Sequence, residues 1–146
     1  MQIQEENKFI IAKFNSGNII KNLSFLMDDN CIDSALVISG IGMLKNTTLG
    51  YFNGEDYVTE KIKNPVELVS LQGNISRMKE SNEVACHLHA AVADNNHHLK
   101  GGHLIDGEVT VVNEIILKKL DIVKIRRKKN KQGLLEMTLY KNNPTG

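Results

Sequence analysis

The 146-residue sequence has no tryptophan, three tyrosines, four phenylalanines and two cysteines. Cys31 and Cys86 each lie among apolar residues without a nearby CxxC partner. That excludes a disulfide framework and a thiolate metal cluster, and a reducing cytoplasm is the expected setting. No apolar run approaches the length of a membrane span, so no membrane association is expected. The first eight residues, MQIQEENK, are polar and acidic where a signal peptide needs a basic start and an apolar stretch. No Gly-x-Ser-x-Gly elbow surrounds Ser39 or Ser70, which argues against a serine triad. Gly40-Ile41-Gly42 lacks the third glycine and the following helix of a phosphate loop, so a bulge or close backbone approach in a sheet is expected there.

One sign of charge is scarce in each part of the chain. Residues 1–117 hold nine Lys/Arg against fifteen Asp/Glu, and residues 118–146 hold nine against two. The net charge of +1 conceals an acidic body with a basic end. The basic residues Lys118, Lys119, Lys124, Arg126, Arg127, Lys128, Lys129 and Lys131 match a nucleic-acid phosphate surface in charge. A solvated edge hairpin accounts for them better, because no aromatic residues interleave for base stacking and no reading helix is evident.

What is abundant is punctuated strand. Residues 9–14, FIIAKF, end at Asn15-Ser16-Gly17 and read as a first strand. Ile19, Ile20, Leu23, Leu26 and Met27 then recur at helical spacing, with Ser16 as the expected N-cap and Asn30 as the stop. Strands follow at 35–39, 47–52, 66–71, 84–93 and 108–117, and a basic hairpin spans 121–140. A second short helix is expected near 54–61. The last five residues, 142–146, are expected to fray. The length fits a single domain over residues 1–146, with an α+β fold: a mainly antiparallel sheet of about seven or eight strands and one or two helices.

All five histidines, His87, His89, His97, His98 and His103, fall within residues 86–104. On a strand His87 and His89 point the same way and Leu88 the other. A turn at Asp94-Asn95-Asn96 reverses the chain, and Gly101-Gly102 allow close backbone approach before His103. A third imidazole thereby returns to the same wall, and His97 and His98 stay in the turn. Three neutral imidazoles on zinc or a similar divalent ion leave an open coordination position, the geometry of a catalytic rather than a closed structural site. Isolated strand histidines without a ligand role are the competing explanation. Glu67, Glu108 and Glu114 are candidate acid/base partners, of which Glu67 is preferred if the protein is an enzyme.

Taken together the motifs ALVISGIGML (35–44), TLGY (48–51), ELVSLQGNI (67–75), HLH (87–89) and GGHL (101–104) resemble the plants-and-prokaryotes conserved (PPC) domain in its stand-alone prokaryotic form. The resemblance implies an α+β fold, a homotrimer, and a metal, commonly zinc, on His87, His89 and His103, one per chain. It also implies a DNA-binding or regulatory role. The AT-hook core Arg-Gly-Arg-Pro of the plant members is absent. Where those members carry Gly-Arg-Phe-Glu-Ile-Leu for partner recruitment, residues 64–69 read NPVELV, so plant-type recruitment is not expected. The histidine arrangement is also similar to that of acetolactate decarboxylase, a zinc enzyme of related fold. By that analogy the alternative function is a zinc-dependent lyase or hydrolase acting on a small oxygen-rich substrate.

Overall fold

The computed structural model describes residues 1–141; the expectation for 142–146 lies outside them. The nine strands among these residues are β1 (Gln2–Glu6), β2 (Phe9–Phe14), β3 (Ala35–Phe52), β4 (Tyr57–Ile62), β5 (Val66–Met78), β6 (Val84–Ala93), β7 (Leu99–Lys119), β8 (Val123–Lys129) and β9 (Leu135–Lys141). One helix, α1 (Ile19–Asp29), follows β2. All nine strands join one sheet, antiparallel except where β5 runs parallel to β8 at Arg77 and Arg126. β5 pairs with β6, β6 with β7, β7 with β3, and β3 with β5. Four strands therefore close a ring, which removes their free edges.

Alternation selects the inside of this ring. Ile10, Ala12 and Phe14 on β2, Leu88, Ala90 and Val92 on β6, and Ile115 and Leu117 on β7 are buried, and Ile19, Leu23, Leu26 and Met27 of α1 pack with them. The helix matches its expected periodicity and stop at Asn30, but its N-cap is Asn18 rather than Ser16. The Asn18 side chain accepts from the Lys21 amide at 3.1 Å.

The structure corrects the reading elsewhere. Residues 57–62 form β4 instead of a second helix, since Tyr57, Val58 and Thr59 suit a strand and their backbone groups are satisfied by the second half of β3. The acidic first residues form β1, turning into β2 through Asn7 and Lys8, both at positive φ. The stretches at 35–39 and 47–52 are one 18-residue strand with register shifts, including one between Gly42 and Leu44. This is a bulge, as expected for Gly-Ile-Gly, and it lets a long strand bend around the ring.

The last two strands are tied to the body by charge. Arg126 donates to both carboxylate oxygens of Asp33 at 2.7 and 2.8 Å, and the Ser34 hydroxyl accepts from the Ile125 amide at 2.9 Å. The Arg126 guanidinium holds the Asp33 carboxyl below its ordinary value. A depressed carboxyl contributes stability above its unfolded value near 3.8, and that contribution is lost as pH falls through the folded value. Asp33→Asn should cost about 1–2 kcal/mol at neutral pH. Thermal melts should show the gap to wild type closing as pH falls below the ordinary value of 3.8 and through the lower folded value; a gap independent of pH would contradict the ion pair.

Candidate metal centre

β6 places His87 and His89 on the face opposite Leu88 and Ala90, both buried in the core. β7 then sets His103 directly across from His89 in the antiparallel register. Close approach of the backbones permits this: a Cβ on Gly102 would lie 2.7 Å from the Gly50 carbonyl oxygen. Ring centroids are 5.4 Å apart for His87 and His89, 5.2 Å for His87 and His103, and 5.5 Å for His89 and His103. One ligand nitrogen from each lies within 4.8 Å of the others. His97 and His98 are exposed in the turn, where Asp94 Oδ1 accepts from the His98 amide at 3.0 Å.

His87 and His103 are prepared as neutral donors. Burial, then Arg127, His103 and His89, push His87 down to about 4; burial, His89 and Arg127 also hold His103 below its ordinary value. Among the described residues His103 Nδ1 is buried without a hydrogen-bond partner, an arrangement that costs free energy unless something accepts the lone pair or the proton. Three imidazoles converging around an orphaned atom fit a divalent ion of borderline softness. Cys86 does not join them. It sits on the core face, and burial pushes its thiol up to about 11, so it stays protonated.

His87 and His103 border a cleft of about 420 Å³ roofed by the β8–β9 hairpin and β4, with Tyr57, Arg127, Leu135 and Glu136 among its lining. The Tyr57 ring lies 5.2 Å from that of His103. Arg127 Nη2 approaches His87 Nδ1 at 3.2 Å and donates to Asn74 Oδ1 at 2.7 Å. Glu67 is exposed at the start of β5, opposite Ala93 and Met43, whereas Gln72 and Asn74 are the β5 residues opposite His89 and His87. Glu108 and Glu114 lie on β7 toward α1 and β2, away from the cleft.

Sequence reading missed Arg127, Tyr57 and Asn74. A signal for Arg127 exists: it shares a strand face with buried Ile125, so alternation marks it as inward within a run otherwise read as solvated charge. Tyr57 was hidden by the expected helix.

An α+β ring of strands thus brings three imidazoles within reach of one another. The chain belongs to the Plants and Prokaryotes Conserved (PCC) domain family, whose model matches residues 1–121. Its structure is similar to that of a plant- and prokaryote-conserved protein from Pyrococcus horikoshii, with 31% identity over 92% of this chain and 91% of the other, at a TM-score of 0.79. It is also similar to a metal-containing protein from Archaeoglobus fulgidus, with 23% identity over 94% and 99% of the two chains and a TM-score of 0.80. A candidate DNA-binding protein from Bacteroides thetaiotaomicron shares 24% identity over 94% and 96%, at a TM-score of 0.83. The last two likenesses are of fold. Comparison with curated proteins gives no match. Among the described residues no helix is long and apolar enough to cross a membrane.

Proposed function

We propose that this chain is a homotrimeric metal-binding protein with a DNA-associated, regulatory role, in which His87, His89 and His103 hold zinc or another divalent ion, one per chain. The observation that carries the reading is the convergence of ligand nitrogens from three imidazoles within 4.8 Å. An ion held there supplies a Lewis-acidic centre with an open coordination position. Metal analysis after reconstitution with zinc tests it, with about one ion per chain expected for a three-histidine site. Protein that emerges metal-free would sink the reading.

Trimer formation is supported by the outer face of the sheet. Ile11 and Ile116 face each other across β2 and β7, and Ile41 of β3 lines the same shallow groove. Each is more than a third exposed, and a contiguous apolar patch of this kind marks an interaction surface. Ile41→Asp should leave the fold intact, because the side chain is 49% exposed, and should convert a sedimenting trimer to monomer. An unchanged mass would exclude this face.

The family and the DNA-binding designation of the Bacteroides thetaiotaomicron neighbour support the nucleic-acid role, and the basic end of the chain narrows where contact is made. Arg126 is paired with Asp33, Lys119 with Glu5 at 2.5 Å and Lys128 with Glu80 at 3.5 Å, and Arg127 is buried. Lys118, Lys124, Lys129 and Lys131 make no ion pair among the described residues. If Lys129 and Lys131 contact phosphates, replacing both by Glu lowers the salt slope of duplex binding by about 2. Fluorescence anisotropy across a salt series measures it, and absence of any duplex binding at physiological salt removes the role.

One observation favours the second reading, a zinc-dependent lyase or hydrolase for a small oxygen-rich substrate: the histidines open onto a cleft instead of being closed by a fourth protein ligand. In that reading Glu136, which borders the cleft, is the first choice for proton exchange, and Glu67 the second.

A further inference from the structure

Three arginines occur in the chain, and two face aspartates: Arg77 with Asp28 at 2.5 Å and Arg126 with Asp33 at 2.7 Å. Among the described residues Arg127 has no carboxylate partner, although it is the most buried of the three at 3% exposure. Its protein contacts are the Leu135 carbonyl at 2.7 Å, Asn74 Oδ1 at 2.7 Å and His87 Nδ1 at 3.2 Å. A guanidinium carries five N–H groups, so two are left over, and Nε is buried without a partner. Burying a cation without a counter-charge is strongly unfavourable, and here the nearest titratable neighbour is the His87 imidazole, which is no anion. A divalent ion on those imidazoles adds two more positive charges beside the guanidinium. Glu136 is the one carboxylate lining the cleft; it is exposed and forms no ion pair with Arg127. Metal and Arg127 together therefore make a concentrated positive site that lacks an anion.

The occupant is limited by the walls. The cleft of about 420 Å³ falls within the usual range for small-molecule sites, and Tyr57, Leu134 and Leu135 give it an apolar side. A polymer phosphate cannot reach a side chain this deeply covered. The two hydrogen bonds to Leu135 and Asn74 fix the guanidinium in advance, which lowers the ordering cost of binding. We propose that the cleft between His87, His103 and the β8–β9 hairpin binds a small carboxylate with an apolar tail, its oxygen on the open position of a metal held by the three histidines and its charge on Arg127. The proposal rests on the metal reading above, and it places Arg127, outside the family-matched residues 1–121, as the residue that sets ligand charge.

The test is titration of the cobalt(II)-loaded full chain with butyrate, following the visible d–d band, which responds to a change of metal ligand. Wild type should show a saturable change, and Arg127→Met should bind butyrate at least about tenfold more weakly with cobalt stoichiometry unchanged, a loss typical of one charge-assisted contact. Arg127→Lys keeps the charge but not the planar fork, so it should fall between them. Should Arg127→Met fail to fold by circular dichroism, the lysine variant decides: affinity equal to wild type overturns the proposal. A wild-type band untouched by butyrate, or tighter binding of inorganic phosphate than of butyrate, overturns it as well. Failure of wild type to take up cobalt removes the metal reading first, and this proposal with it.

Discussion

Replacing His89 by alanine should strip the protein of zinc while leaving its fold almost unchanged. His89 is exposed, and its neighbours on the strand, Leu88 and Ala90, face the other way into the core, so the truncation opens no cavity. Surface truncations of this kind usually alter stability by no more than about 0.5 kcal/mol. The cost to the metal is far larger. Losing a residue that merely orients a ligand weakens affinity by about 10–100-fold, and losing a ligand itself should exceed the upper end of that range. Zinc content after desalting should therefore fall from about one per chain toward none. The melting temperature supplies a second readout. Ligand that binds only the folded state raises it by mass action, so added zinc should stabilise wild type and leave His89→Ala where it was. Unchanged zinc content in the variant would place the metal elsewhere.

Different parts of the molecule were legible in the sequence to different degrees. The helix was readable because Ile19, Leu23, Leu26 and Met27 obey a local period, and only its cap moved by two residues. His87 and His89 were readable for the same reason, since alternation along one strand fixes which side each faces. His103 required pairing between two strands, and the glycines before it carried the hint. For Arg127 alternation with Ile125 marks only an inward side chain; seven other basic residues surround it in sequence, and its place beside His87 depends on β8 docking beside β5, a parallel contact between segments about fifty residues apart. β4 was misread because Gly54 to Lys61 carries both polar spacing and β-branched residues, and the free edge of β3 decided between them. The closure of four strands into a ring is likewise a property of pairings, visible in no single segment.

Gly73→Ala should be a severely destabilising substitution, although Gly73 offers no ligand to a metal. Gly73 lies on β5 between Val37 of β3 and Leu88 of β6. Its φ is +148°, and an added Cβ would stand 2.0 Å from the His87 carbonyl oxygen and 3.0 Å from the Leu88 Cα. Both obstacles are backbone atoms in a paired strand, so neither can rotate aside. Relief requires β6 to move, which breaks ladder bonds and shifts His87 away from His103. The combination of backbone strain and overpacking should cost about 3 kcal/mol or more. Gly54→Ala separates the two contributions. Gly54 also has a positive φ, +104°, but nothing lies within 4 Å of its Cβ position, so it should lose only the roughly 1 kcal/mol of the conformational penalty. Urea denaturation of the two variants measures the difference. Gly73→Ala should lose zinc along with stability, whereas Gly54→Ala should keep its zinc; equal losses in both would mean that the backbones do not meet at Gly73. The same contact explains why the metal face depends on a residue that offers it no ligand: β6 can present two imidazoles toward His103 only while β5 lies against it without a side chain in between.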